Sequence, residues 1–138
     1  MPLSLSLPLV CFHREYALLV REWDELTITT SFALKHGKLS DLLLVDSKGV
    51  AVRVRNALKL HSVGPFWGLN IFLNRRIKVE LCYEGDPFTI SVTELRKRLL
   101  ESFEEWYGWS SSENFDELQE RVKGANTFGE IFGALFST

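Results

Sequence analysis

The segment GVAVRVRNALKLH, residues 49–61, alternates aliphatic and polar side chains and constrains the fold more than any other stretch of the chain. Its even positions from 50 to 60 are aliphatic except for Asn56, and its odd positions carry Ala, Arg, Lys and His. A period of two is typical of a β-strand with one face on a core and the other in water. We therefore predict a half-buried strand here, with Val52, Val54 and Leu58 pointing to the core.

The same alternation recurs along the first two thirds of the chain, and turn-forming segments lie between the repeats. Residues 26–34, 67–73, 77–83 and 88–92 each place large side chains, mostly apolar, at every second position. The segments DSKG at 46–49 and EGDP at 84–87 contain a glycine that can adopt a positive φ, as tight turns often require. The sequence predicts an antiparallel meander with strands at 42–46, 50–60, 67–73, 77–83 and 88–92.

Beyond Val92 the period changes to that of a helix. One helical stripe consists of Leu95, Leu99, Phe103 and Trp106. Thr93 can cap the amino-terminal end of this helix. Two further helices are predicted because Asn114 and Thr127 are each followed three residues later by a glutamate, which is the spacing of a capping box.

These patterns together predict an α+β fold in a single domain, residues 1–138. Residues 1–92 form an antiparallel sheet of about five to seven strands, and residues 93–138 form about three helices that pack on one face of it. Because strands come first and helices follow, the helices are expected to cover one side of the sheet while the other side meets water.

Composition fits one globular domain and gives no global electrostatic preference. The chain has 138 residues, of which 46% are hydrophobic and 25% charged, with a formal net charge of -2. A nearly neutral protein has a weak long-range field, so any binding of anions must be local. The sequence therefore favours a protein partner over nucleic acid.

The apolar start of the chain, MPLSLSLPLVCF, predicts an edge strand rather than a targeting segment. No Lys or Arg precedes it, two prolines interrupt it, and it is shorter than the roughly 20 apolar residues that span a bilayer. Residues Leu3–Leu9 alternate leucine with Ser and Pro, and proline is tolerated in edge strands. We expect a cytoplasmic protein that does not contact a membrane, with Cys11 and Cys82 as reduced thiols. Such an edge, or the outer sheet face, can also pair two copies of the chain.

The helical third is acidic, with five Lys/Arg against nine Asp/Glu in residues 93–138. Carboxylates and aromatic rings cluster at the end of its first helix and the start of its second. The candidate partner-binding residues are Glu104, Glu105, Trp106, Tyr107, Trp109, Asp116 and Glu117. Aromatic rings beside charges are typical of protein-binding hot spots. A solvated helix face, and a core position for Trp106, are the simpler explanations.

The polar side of residues 50–60 is basic and supplies an alternative site. The candidate anion-binding residues are Arg53, Arg55, Lys59, Arg75 and Arg76. Those within residues 53–59 are predicted to project from one side at about 7 Å spacing, comparable with successive phosphates of a nucleic-acid strand. Cross-strand pairing with Glu80 and Glu84 is the simpler explanation, and the sequence favours it because RNA-binding sheets usually add stacking rings.

Catalytic and metal-binding patterns are scarce. The three histidines are scattered, and the spacings of zinc hydrolases, serine hydrolases and nucleotide-binding loops do not occur. A thiol site built from Cys82, His61 and Glu80 is the one nucleophilic arrangement that neighbouring strands would allow. The sequence favours a non-enzymatic protein, and it assigns no catalytic residue, metal or cofactor.

The stretch TELRKRLLESFEEWYG, followed by ENFDEL, resembles the barstar family of nuclease inhibitors, in which a helix leads to a Tyr-Gly pair and an acidic helix plugs a basic active site. The matching positions are Tyr107, Gly108, Asn114 and Asp116. The chain departs from that family in the WSSSE insertion between these positions and in its antiparallel sheet, where the family has a parallel one. We assign no membership on this basis.

Two functional hypotheses follow from the sequence. The first is a small non-enzymatic domain that binds another protein through its acidic and aromatic helical surface, for example as an immunity or inhibitor protein. The second is a nucleic-acid or anionic-ligand binder that uses the basic side of the sheet.

Overall fold

The computed structural model describes residues 5–14, 16–62, 76–105 and 114–136. In chain order the elements are β1 (Leu9–Phe12), β2 (Ala17–Val20), α1 (Asp24–Thr27), β3 (Ile28–Thr30), α2 (Ser31–Lys35), β4 (Leu42–Asp46), β5 (Val50–Ser62), β6 (Arg76–Thr89), α3 (Val92–Glu105), α4 (Phe115–Gly124) and α5 (Phe128–Phe136). A sheet in the first two thirds is followed by three helices, so the predicted α+β class is confirmed.

The described strands form one curled sheet in the order β2-β1-β4-β5-β6-β3. Every neighbouring pair is antiparallel, as predicted. The consecutive strands β4, β5 and β6 form the central meander. The β1–β2 hairpin extends the sheet on one side, and the chain then crosses to the other side, where β3 pairs with β6. The predicted strand at 67–73 lies outside the described residues.

The first described strand begins at Leu9, so the predicted edge strand over Leu3–Leu9 is wrong where the structure can be read. Residues 5–8 precede β1 without joining the sheet, and residues 1–4 lie outside the described part. β1 lies between β2 and β4, and its sequence LVCF is buried along its whole length. A strand that is covered on both faces reads as a continuous apolar run rather than as an alternating one.

Irregular pairing between β5 and β6 changes which side chains face the core. Register shifts lie between Ala51 and Arg53, between Val54 and Asn56, and between Lys59 and His61. An extra residue in one strand reverses the alternation beyond it. Val52 and Val54 are buried as predicted, but past the second shift Ala57 is buried and Leu58 is 57% exposed. The prediction that Leu58 points to the core is therefore wrong.

β6 runs without interruption through Glu84–Pro87, where the sequence predicts a turn between two strands. Gly85 has the positive φ, 77°, that the turn prediction requires. The pairing shows its actual role: β5 advances from residue 51 to 53 while β6 advances from 84 to 88, so β6 accommodates extra residues in a bulge. The positive φ of Gly85 suits a bulge as well as a turn. Here it belongs to a bulge because β6 stays paired with β5 on both sides of it.

Residues 26–34 contain two short helices around a three-residue strand, not the single strand that their alternation predicts. Threonine side chains account for the difference. Thr30 Oγ1 accepts a hydrogen bond from the backbone N–H of Ala33 at 3.0 Å and caps α2. Thr27 Oγ1 donates to the carbonyl oxygen of Trp23 at 3.1 Å. Local bonds of this kind compete with strand pairing.

α3 confirms the predicted stripe over its described side chains, since Leu95, Leu99 and Phe103 are buried. Trp106, the fourth member, lies outside the described residues. The helix begins at Val92, and Ser91 Oγ accepts from the N–H of Glu94 at 3.0 Å. Ser91 therefore caps this helix, and the predicted cap at Thr93 is wrong.

The caps of α4 and α5 differ. Thr127 Oγ1 accepts from the N–H of Glu130 at 3.0 Å, so the predicted cap of α5 is confirmed. α4 begins directly after Asn114, as predicted, but the Asn114 side chain makes no capping hydrogen bond. The capping box expected between Asn114 and Glu117 is therefore not formed.

The sheet carries a core on each face. The helix-covered core packs α3, α4 and α5 on one face; its members include Val10, Leu43, Val45, Ala51, Leu95, Leu99, Val122 and Ile131. The second core lies on the other face; its members include Leu9, Cys11, Leu26, Leu44, Val52, Ile77 and Val79. The helices thus cover one face as predicted, whereas the expectation of a wet opposite face is wrong for β1 and β4.

Asp46 anchors the turn between β4 and β5. It is 0% exposed and is the one buried charged side chain of the described part. Its Oδ1 accepts from the N–H groups of Lys48 at 2.9 Å and Val50 at 3.0 Å, and its Oδ2 accepts from Ser6 at 3.0 Å. A buried carboxylate is tolerated when its lone pairs are satisfied in this way. Asp46 thereby ties the segment before β1 to the turn.

Gly49 joins the same turn to the helices. Its φ is 83°, and a Cβ at this position would lie 2.5 Å from the ring of Phe128 in α5. Only glycine satisfies both conditions. Its carbonyl oxygen also accepts from the N–H of Ile90 at 2.9 Å. The turn therefore contacts both α5 and the segment that leads into α3.

None of the helices within the described ranges is both long and apolar enough to cross a membrane.

Candidate interaction surfaces

The end of α3 and the start of α4 lie side by side because the rings of Phe103 and Phe115 pack edge to face, with centroids 5.7 Å apart. Exposed carboxylates follow each ring in the sequence. We call Glu104, Glu105, Asp116 and Glu117 the acidic end. Within the described residues none of these four side chains forms an ion pair; the pairs found there involve Asp24, Glu94 and Glu120. The structure thus places the two helix ends that carry the predicted carboxylates side by side.

The two halves of the acidic end differ in their relation to the helix dipoles. Asp116 and Glu117 lie in the first turn of α4, where the helix dipole favours negative charge. Glu104 and Glu105 lie at the end of α3, whose last turn contains no basic residue. Carboxylates there face the negative end of the dipole. Asp116 and Glu117 therefore stabilise their helix, whereas Glu104 and Glu105 destabilise theirs.

Glu105 also borders a small open cleft of about 130 Å³ between α3 and the residues that follow β1. The lining residues are Phe12, His13, Arg14, Arg98, Glu101, Ser102 and Glu105. Arg98 is already engaged, since its Nε lies 3.0 Å from Glu94 Oε1, although not in hydrogen-bond geometry. The remaining charges are of both signs, so the cleft has no single electrostatic preference.

Both predicted sets have members outside the described residues. Trp106, Tyr107 and Trp109 of the partner-binding set lie there, and so does Arg75 of the anion-binding set. The described part of the partner-binding set therefore consists of carboxylates alone.

The predicted row of cations along β5 is not formed. Arg53 lies opposite Glu84 and Lys59 lies opposite Val79. Directly opposed residues share a face, and residues 79 and 84 of β6 fall on opposite faces by parity. Arg53 and Lys59 therefore point to opposite sides of the sheet. Arg55 occupies the bulge between them, so the bulges break the phosphate-like spacing.

Arg76 shares the face of Arg53 but lies far from it. The two positions are separated by eight residues of β6, from 76 to 84, which is roughly 27 Å. Arg76 pairs across the sheet with Thr30 in β3. The candidate anion-binding residues thus give scattered single charges rather than a patch.

The expected neutralisation by cross-strand carboxylates is also absent within the described part. Arg53 faces Glu84 in the register, yet no ion pair within 4.0 Å joins them. The Arg53 guanidinium instead lies over the ring of Phe88, 5.8 Å from its centroid. A cation over an exposed ring gains about 0.5–1 kcal/mol.

Two exposed leucines on β5 were not anticipated as surface residues. Leu58 is 57% and Leu60 is 53% exposed. The signal that could have revealed them is Asn56, a polar residue at a position that strict alternation assigns to the core. A polar residue at such a position is expected where a bulge reverses the faces.

The thiol arrangement considered from the sequence is not assembled. Cys82 lies opposite Asn56, whereas His61 lies opposite Lys78. The two β6 positions are about 13 Å apart along the strand. Cys82 Sγ is 4.0 Å from the backbone oxygen of Glu80. The pairing therefore places His61 away from this thiol.

The resolved pKa shifts among the described groups belong to the second core and its margin. Burial raises the pKa of the Cys11 thiol to about 12. Burial also raises the pKa of Tyr83, and the nearby Glu80 carboxylate raises it further. Both effects keep the groups neutral. The described residues contain no group of three or more His, Cys, Asp or Glu side chains placed to hold a metal ion.

No protein-family model, curated protein or solved structure matches this chain.

Proposed function

We propose that this protein is a small non-enzymatic interaction domain that binds a basic surface of another protein through the acidic end. The contact between Phe103 and Phe115, at 5.7 Å, supports the proposal because it joins the two helix ends that carry the exposed carboxylates. Like charges gathered on one surface create a local field that steers and orients a partner of opposite charge.

The position of Glu104 and Glu105 adds support. A helix is stabilised when Lys or Arg occupies its last turn, and α3 has glutamates instead. Each such carboxylate costs about 0.3–1 kcal/mol in helix stability at low ionic strength. Folding stability gives no reason for this placement, whereas binding to a basic partner does.

The specific form of the proposal is an immunity- or inhibitor-like protein that covers a basic catalytic or nucleic-acid-binding surface. Trp106, Tyr107 and Trp109 lie between the two carboxylate pairs in the sequence and would supply the apolar centre of such an interface. A cytoplasmic location is part of the proposal. The free thiols of Cys11 and Cys82 support it, since unpaired cysteines are typical of reducing compartments.

The test uses the full chain as an immobilised bait in a lysate of its native cells, with bound proteins identified by mass spectrometry. The charge-reversed bait carries Glu104→Lys, Glu105→Lys, Asp116→Lys and Glu117→Lys. The matched control bait carries Glu22→Lys, Glu80→Lys, Glu84→Lys and Asp86→Lys, at exposed positions elsewhere on the chain. Both variants change the net charge by the same amount.

We expect the unchanged and control baits to retain basic proteins that raised salt elutes. The charge-reversed bait should not retain these proteins. Retention of the same proteins by all three baits would contradict the proposal. Loss from both variants would contradict it as well, because net charge alone would then explain the binding.

A further inference from the structure

Residues 56–59 of β5 pair with a described strand on one side only, and Leu60 follows in a bulge. β6 supplies that pairing, whereas the register between β4 and β5 ends where Leu42 lies opposite Val54. One further backbone bond lies on the β4 side, from the N–H of Asp41 to the carbonyl oxygen of Arg55 at 3.2 Å. We call Asn56–Leu60 the β5 extension; it is about 17 Å long.

The β5 extension is exposed on both of its faces. Of its residues only Ala57 is buried. Leu58 and Leu60 are, with Phe32, the most exposed large hydrophobic side chains of the described part. A strand edge with exposed apolar side chains can pair with another chain, because its N–H and C=O groups supply hydrogen bonds and its side chains supply burial.

Two cations, Arg55 and Lys59, lie at this edge, and the neighbouring acidic residues are Asp41, bonded to Arg55, and Glu80, opposite Leu58. Arg55 and Lys59 flank Leu58 and are exposed. Neither forms an ion pair within the described part of the chain. A second copy of this strand would bring the same cations together, and edge cations are a common means of preventing such self-pairing. An acidic segment would meet opposite charges instead.

We propose that the β5 extension accepts an extended acidic peptide of a partner protein as an added strand. The backbone of the peptide would pair with the edge of the β5 extension that no described strand occupies, and its apolar side chains would cover Leu58 and Leu60. Its carboxylates would neutralise Arg55 and Lys59. This interaction lies beyond the proposed function, since it uses another surface and a partner of opposite charge.

The experiment measures the fluorescence anisotropy of a labelled peptide of about ten residues that alternates glutamate and valine. Titration with the full chain at low ionic strength should show saturable binding. A peptide that alternates lysine and valine should not bind. Two further glutamate peptides are N-methylated on alternate residues in opposite phases. An added strand uses one edge of the peptide, so one of these should lose binding and the other should keep it.

Protein variants locate the site. Arg55→Glu with Lys59→Glu should weaken binding at least about tenfold, the equivalent of about 1.4 kcal/mol. Lys48→Glu with Lys97→Glu makes the same charge change at exposed positions elsewhere and should leave binding unchanged. Leu58→Ser with Leu60→Ser should weaken binding several-fold. Circular dichroism and thermal melting of each variant establish that it is folded.

Several results would overturn the proposal. Equal binding of both N-methylated peptides would exclude strand addition, and equal effects of the two charge-reversed variants would place the site elsewhere. Binding of a single-stranded oligonucleotide, lost in Arg55→Glu with Lys59→Glu, without binding of the peptide would assign the cations to nucleic acid. A concentration-dependent dimer abolished by Leu58→Lys would assign the edge to a second copy.

Discussion

β4 is buried on both faces along its five residues, whereas the neighbouring β5 is exposed at Arg53, at Arg55 and at every residue from Leu58 to His61. The two strands pair in regular register over Leu42–Val45. The pairing of β5 with β6, in contrast, shifts three times. One sheet therefore contains a regular half, up to the β4–β5 pairing, and an irregular half, where β5 pairs with β6.

The difference shows how burial constrains pairing. In β4 a slip of one residue would exchange side chains between two filled cores, so the register is strongly specified. In the outer part of β5 a slip moves side chains between water and a partly covered face, at lower cost. Bulges are tolerated there, and they leave cations and leucines on the surface. The candidate binding edge lies in the half where the fold is least constrained.

The largest effect that separates the two halves is expected from the glycines at 49 and 85, which share a positive φ of 83° and 77°. Gly49→Ala adds a Cβ at 2.5 Å from the Phe128 ring, whereas Gly85→Ala meets nothing within 4 Å. We expect Gly49→Ala to lower the free energy of unfolding by about 4 kcal/mol, from backbone strain plus overpacking. Gly85→Ala should cost about 1 kcal/mol, from backbone strain alone. Urea denaturation measures both.

A double variant isolates the ring contact. Combining Gly49→Ala with Phe128→Ala should cost less than the sum of the two single changes, because the ring that the new methyl group meets is removed. If Gly49→Ala and Gly85→Ala lowered the free energy of unfolding equally, the contact with α5 would not make the turn at Gly49 more sensitive than the bulge at Gly85.

A leucine pair gives the next largest contrast. Leu99 is 0% and Leu58 is 57% exposed. Leu99→Ala should destabilise the protein by about 3 kcal/mol, through lost burial and the cavity that remains. Leu58→Ala should change stability by less than about 0.5 kcal/mol. A large loss of stability from Leu58→Ala in thermal unfolding would refute the assignment of this residue to the surface.

The smallest effect concerns the two thiols and needs no substitution. Cys11 is buried with a pKa near 12, and Cys82 is half-buried on the outer part of β6. Iodoacetamide at mildly alkaline pH should modify Cys82 in the native protein and both cysteines in urea, as peptide mass spectrometry would show. Rapid native labelling of Cys11 would contradict its place in the second core.

The free energy of unfolding at alkaline pH should also depend on Cys11. Its pKa is raised in the folded state, from 9.0 to about 12. The unfolded chain therefore loses the thiol proton at a lower pH than the folded protein does. The contribution of the buried thiol to folding stability is fully present below pH 9.0 and declines as the pH rises toward 12. A Cys11→Ala variant should lack this part of the decline, and an identical pH dependence in both proteins would contradict the shift.

Local patterns predicted the elements that are decided locally. The stripe of Leu95, Leu99 and Phe103 lies within one helix, so spacing alone identifies its buried face. The bulges were missed because pairing with β6 creates them. Gly85 illustrates the limit: its positive φ is the same in a turn and in a bulge, and only the neighbouring strand distinguishes the two. The apolar runs LVCF and LLLV carry the signal for burial of β1 and β4 on both faces, although an edge strand and a wet sheet face were predicted.

The candidate surfaces divide in the same way. The acidity of the last third of the chain was apparent from composition, whereas the approach of the helix ends that carry Glu105 and Asp116 depends on the tertiary contact between Phe103 and Phe115. The cations of β5 were identified correctly as exposed, but their common face was not, because a single extra residue sends Lys59 to the side opposite Arg53.

β4 has one further consequence, because it belongs to both cores. Its Leu43 and Val45 lie in the helix-covered core, and its Leu42 and Leu44 lie in the second core. Disruption of either core would free a strand whose side chains also fill the other core. We therefore expect the two cores to unfold together in one cooperative transition. A substitution that disrupts one core should lower the stability of the whole molecule.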